Sequence, residues 1–138
     1  MSEMTSHNTE TIEDRRQVLQ AQIDTGRSMA ERNRLGQFAT PNMLAVEITT
    51  YAASLLGQRG KSVRFADPAI GSGSFFSAAL AVLGADRIRS AVGIEIDPAF
   101  CEAARRLWSD AGLKMVSGDF TRIVASDSAP PAPNLILA

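Results

Sequence analysis

Four short runs constrain this chain most: "VRFAD" (63–67), "AVGIEI" (91–96), "KMVSGD" (114–119) and "NLILA" (134–138). Each is rich in apolar or β-branched residues with little polar alternation, the pattern of strands buried within a sheet. Between the first three lie stripes at helical spacing. Phe76, Ala79, Leu80 and Leu83 form one; Phe100, Ala104, Leu107 and Trp108 form the other, opened by Asp97-Pro98 as cap and first helical residue. Strand, helix, strand, helix, strand specifies an α/β chain with a parallel doubly wound sheet. The fourth strand is a central one in such a sheet and needs cover on both faces, so the expectation is an incomplete sheet consisting of its first four strands.

What precedes the sheet reads as helical. Residues 1–10 are polar and aperiodic, an expected disordered tail. From Thr11 to Arg34 the composition suits a helix with Ile12, Leu19 and Ile23 near one face, and "DTG" at 24–26 as a point of division. Arg15, Arg16, Arg27, Arg32 and Arg34 lie here, but six acids (Glu3, Glu10, Glu13, Asp14, Asp24, Glu31) offset them, so a solvated helix face is expected rather than a DNA-binding one. Thr40-Pro41 reads as cap and first residue of a further helix. Its stripe of Leu44, Ile48, Tyr51 and Leu55 is expected to face a core before "GQRG" stops it. This divides the chain into a helical region at 11–57 and a sheet domain from 61 to 138. Charged content of 21%, hydrophobic content of 45% and a net charge of −1 describe an ordinary globular chain with no electrostatic bias towards any partner. The lone Cys101 excludes an internal disulfide, and no apolar run is long enough for a bilayer; a cytoplasmic protein without a membrane role is the expectation.

In open parallel sheets the ligand sits beyond the carboxyl ends of the strands. Here those ends carry Asp67, Glu95 and Asp119, with "DPAIGSGSFF" (67–76) following the first. A nucleoside-triphosphate loop needs a lysine after its glycines, yet the next lysine is Lys114. A dinucleotide loop wants a small third residue where Phe76 stands, and its pyrophosphate would face Asp67. A ligand with positive charge fits better. S-adenosylmethionine carries an ammonium and a sulfonium and no phosphate: Asp67 can accept from the ammonium, and Gly71 and Gly73 can admit close backbone approach. Glu95 stands roughly 20 residues after the glycines, the place of the acid that receives both ribose hydroxyls. At the third strand end Asp119 can accept from the adenine amino group, with Phe120 as an aromatic wall or simply a core residue. Asp97 reads as a cap alone.

These residues resemble a family. "LGQFATP" (35–41), "DPAIGSGSFF", "GIEIDP" (93–98) and "GDF" (118–120) look like the successive cofactor motifs of N6-adenine DNA methyltransferases of restriction-modification systems with the gamma motif order. The resemblance covers about residues 35 to 138 and implies a Rossmann-like methyltransferase fold. It assigns Thr40, near the backbone of Phe38 and Ala39, to the methionine end of the cofactor, and places Pro68 in the cofactor loop. Ile70 stands where relatives often have cysteine. The family's catalytic Asn-Pro-Pro-aromatic loop follows the fourth strand, where this sequence stops at Ala138; Asn134 precedes the strand and "SDSAPPAPN" is a proline-rich loop, so no residue is nominated as catalytic. The expectation is an N-terminal part of a longer enzyme, inactive alone, whose DNA contacts and target-recognition domain lie elsewhere. Alternatives are a stand-alone cofactor-binding or regulatory module, and a methyltransferase acting on RNA, protein or a small molecule.

Overall fold

The computed structural model describes residues 10–57, 62–123 and 132–138. The expected tail at 1–10, the "GQRG" stop and the proline-rich loop fall largely outside them. Helices α1 (Ile12–Thr25) and α2 (Met29–Leu35) are separated at the Asp24-Thr25-Gly26 break. Each opens with a reciprocal capping box, Thr11 with Asp14 and Ser28 with Glu31, in which side chain and backbone amide satisfy one another. Helix α3 (Asn42–Leu55) follows. Thr40 does not cap it: Pro41 occupies the cap position, without a side-chain bond, and its carbonyl accepts from Ala45 N at 2.9 Å.

The sheet then forms as β1 (Val63–Asp67), β2 (Ile88–Glu95), β3 (Leu113–Ser117) and β4 (Leu135–Ile136), all parallel in the order β3-β2-β1-β4. Helix α4 (Ser74–Leu83) connects β1 to β2, and α5 (Pro98–Leu107) connects β2 to β3. The registers pair Asp67 with Gly93 and Glu95 with Ser117, which brings the strand ends to one rim. Gly93 is small for a reason: a Cβ there would lie 2.4 Å from Ile70 Cδ1, so the loop after β1 packs down onto β2.

Burial alternates along β1: Val63, Phe65 and Asp67 are buried, Arg64 and Ala66 only half so. The buried face joins α4 and α5 in one core, in which Phe65, Phe76 and Trp108 pack in series, the last pair edge-to-face with centroids 5.1 Å apart. The other face carries Val92, Ile94 and Val116, half-buried, and Ile136, exposed. The unbroken apolar character of the strands thus exceeds the cover present among the described residues.

Helix α3 departs from expectation. Its buried residues are Ala45 and Thr49, with Val46, Ala52 and Leu56 against the core, whereas Leu44, Ile48, Tyr51 and Leu55 are exposed, Tyr51 and Leu55 by 68% and 70%. The helix packs chiefly on α4, itself buried from Ser74 through Ala79, and small residues on both sides allow the two backbones to come close. No described helix is long and apolar enough to cross a membrane.

Candidate functional site

Beyond the strand ends lies a cavity of about 410 Å³. Its floor is the loop after β1, one wall is the ends of β2 and β3, and a strap of residues 36–40 borders the other side. Thr40, Asp67, Pro68, Gly71, Glu95, Asp119 and Phe120 all line it.

Asp67 is 2% exposed, and its Oδ1 accepts from Ala69 N at 3.0 Å. Burial, reinforced by the nearby Glu95 carboxylate and only partly opposed by the Ala69 bond, pushes its pKa up from 3.8 to about 7. Glu95 is also buried, and both its oxygens are engaged: Oε2 accepts from Gly71 N and Oε1 from Asp97 N, each at 2.9 Å. The Glu95 carbonyl receives Gly118 N at 2.9 Å, so this one residue joins the loops after β1, β2 and β3. Each carboxylate oxygen keeps a second lone pair for a ligand hydroxyl.

The two glycines of the loop differ. Gly71 has φ +55 and a Cβ there would meet nothing within 4 Å, so it presents bare backbone to the cavity. Gly73, expected to admit ligand in the same way, is not among the lining residues. A Cβ on it would lie 2.5 Å from Trp108 Nε1, which donates to the Ser72 carbonyl at 2.9 Å. Its φ of +96 and this indole, rather than a ligand, demand glycine.

Asp119 caps a short 3-10 turn at Phe120–Arg122: Oδ1 accepts from Thr121 N at 2.9 Å and Thr121 Oγ1 at 2.6 Å, bonds that hold its carboxyl below the usual range. Phe120 is 56% exposed at the cavity wall and is not a core residue. Asp97 caps α5 through Ala99 N and Phe100 N, and it also pairs with Arg27. Arg27 bonds Gln37 of the strap as well and stands 5.2 Å over the Phe100 ring, tying strap to β2 end. Asn134 lies at the opposite end of the sheet, its amide bonded to Arg64 N and the Ser62 carbonyl.

Sequence reasoning missed Arg16, Gln20, Arg27 and Gln37. Gln20 lines the cavity from α1. Arg16, counted with the solvated arginines, is 3% exposed and bonded to the glycine loop. The ties of Arg16 and Arg27 to the site have no local sequence signal, because Ser72, Ser74 and Asp97 lie far along the chain.

The donor set discriminates between ligands. Among the described lining residues there is no Lys or Arg, while two carboxylates are buried side by side. Phosphate would find repulsion here, and a cation would find compensation for both acids.

No family model matches the sequence. Among solved structures the chain is similar to a crystal structure from Listeria monocytogenes described as a candidate class I S-adenosylmethionine-dependent methyltransferase, with a TM-score of 0.53 and 18% identity. The fold is the Rossmann-like fold of class I methyltransferases. The match covers 86% of this chain but 37% of the other, so the chain spans little more than a third of that protein's length.

Proposed function

We propose that this chain is the S-adenosylmethionine-binding part of a methyltransferase that acts on the exocyclic N6 amine of adenine in DNA, within a restriction-modification system. The observation that carries the cofactor reading is the pair of buried carboxylates, Asp67 and Glu95, in a cavity whose described lining holds no cationic side chain. Asp67 would accept from the ammonium and Glu95 from the ribose hydroxyls, with bare backbone at Gly71 admitting the ligand. Asp119 and Phe120 would border the adenine, and Thr40 on the strap would meet the methionine end. A volume of about 410 Å³ falls within the range of small-molecule sites. Bound there, the cofactor would supply an electrophilic methyl group on its sulfonium, and Asp67, Glu95 and the Gly71 backbone would hold and orient it. The choice of adenine in DNA rests on the four motifs "LGQFATP", "DPAIGSGSFF", "GIEIDP" and "GDF" and their order.

Titration calorimetry tests the first part: S-adenosylmethionine binds and NAD does not. Saturable NAD binding with no heat from S-adenosylmethionine would overturn the assignment. The second part is tested with the whole protein by following a labelled methyl group into adenine-containing DNA, with N6-methyladenine as the expected product.

A further inference from the structure

Arg16 is a buried cation in an unfavourable place. It stands against the first turn of α4, the end of a helix that repels positive charge, and only 3% of it reaches solvent. Its Nη1 donates to Ser72 Oγ at 2.8 Å and to Ser74 Oγ at 3.0 Å, the residues on either side of Gly73. Its Nε and Nη2 donate to the two oxygens of Glu13 at 2.8 Å each, a bidentate pair. Ser77 of α4 also donates to Glu13. Against the opposing effect of burial, hydrogen bonds from Arg16, Ser77 and Gln17 hold the Glu13 carboxyl below its ordinary range, so the pair is charged. An apolar contact would have joined α1 to α4 without the desolvation of two ions. What the ion pair adds is direction, because its remaining donors are aimed at the cavity's glycine loop.

That loop is held from three sides. Glu95 accepts from Gly71 N, Trp108 donates to the Ser72 carbonyl, and Arg16 donates to the Ser72 and Ser74 hydroxyls. Only the last tie comes from outside the sheet domain. One turn further along α1, Gln20 lines the cavity itself. We infer that Arg16 is a positioning residue for the cofactor: through Ser72 and Ser74 it fixes the Gly71–Ser74 turn in its ligand-binding shape, which makes helix α1 part of the site. The inference rests on the cofactor reading above.

Four forms of the chain test it: wild type, Arg16→Met, Ser72→Ala with Ser74→Ala, and all three changes together. In calorimetry with S-adenosylmethionine, Arg16→Met and the serine pair each weaken binding by about tenfold or more, as loss of hydrogen bonds to a charged group does. The combined variant binds no worse than Arg16→Met alone, because the same contact is removed twice. Trp108 is the sole tryptophan, and its indole bonds this loop, so its emission shifts in Arg16→Met before any ligand is added. Additive losses, unchanged affinity or an unshifted emission overturn the inference. If Arg16→Met does not fold, the serine pair decides alone, since it leaves Arg16 paired with Glu13. A wild-type chain that ignores S-adenosylmethionine removes the cofactor reading and this inference together; a wild type that binds as well as its variants removes only the inference.

Discussion

Asp67→Asn should stabilise the ligand-free protein at alkaline pH while it abolishes ligand binding. The carboxyl is buried and its pKa lies at about 7 against an ordinary 3.8. At about 1.4 kcal/mol per tenfold change in proton affinity, keeping this group ionised in the fold costs on the order of 4 kcal/mol at full ionisation. Between the two pKa values the folded state holds a proton that the unfolded state has lost, so stability declines as pH rises through about 7. Asparagine keeps an oxygen for the Ala69 amide and has no charge to bury. Relative to wild type the variant therefore gains on the order of 2–3 kcal/mol between pH 5 and pH 8. Urea unfolding of both proteins at the two pH values measures this directly, and other titrating groups cancel in the comparison. A difference in stability that is the same at both pH values would refute the reasoning. For the wild type, affinity for S-adenosylmethionine should climb as pH approaches 7 from below and level off above it, because the cation needs the ionised form. The variant should show neither the affinity nor the pH dependence.

Three further substitutions separate the roles of the rim and its glycine loop. Glu95→Gln removes the charge and one acceptor from the Gly71 and Asp97 amides; S-adenosylmethionine affinity should fall by roughly 1.5–3 kcal/mol in calorimetry, and an unchanged value would remove Glu95 from the site. Gly73→Ala forces a methyl group to 2.5 Å from the Trp108 nitrogen at a φ of +96, so denaturant unfolding should show a loss of about 2–4 kcal/mol. Gly71→Ala, with open space at its Cβ, should cost about 1–2 kcal/mol, and equal losses at both glycines would contradict the division of labour between them.

The sheet was legible because its strands announce themselves locally. Val63–Asp67 starts and stops where the apolar run does, and Asp97-Pro98 marks α5 to the residue. Helix α3 was misread because size was taken for burial: Leu44, Ile48, Tyr51 and Leu55 form the better apolar stripe, but close approach to α4 selected Ala45, Thr49 and Ala52. The rim acids could be found from strand ends alone. The arginines that brace the loops around them could not. The guanidinium of Arg16 meets hydroxyls at Ser72 and Ser74, and Arg27 meets Asp97, pairings across more than fifty residues that no local spacing encodes. Gly73 shows the same limit, since the indole that requires it stands at the C-cap of another helix.

Glu95 gives the rim a further property. Because Gly71 N and Asp97 N already hold its carboxylate in place, an arriving diol would not have to recruit or freeze a mobile side chain. The rotational entropy of that acid is surrendered once, during folding, and association is spared it. Recognition of a sugar edge at this position would then be governed by shape and desolvation, with a receptor already set before encounter.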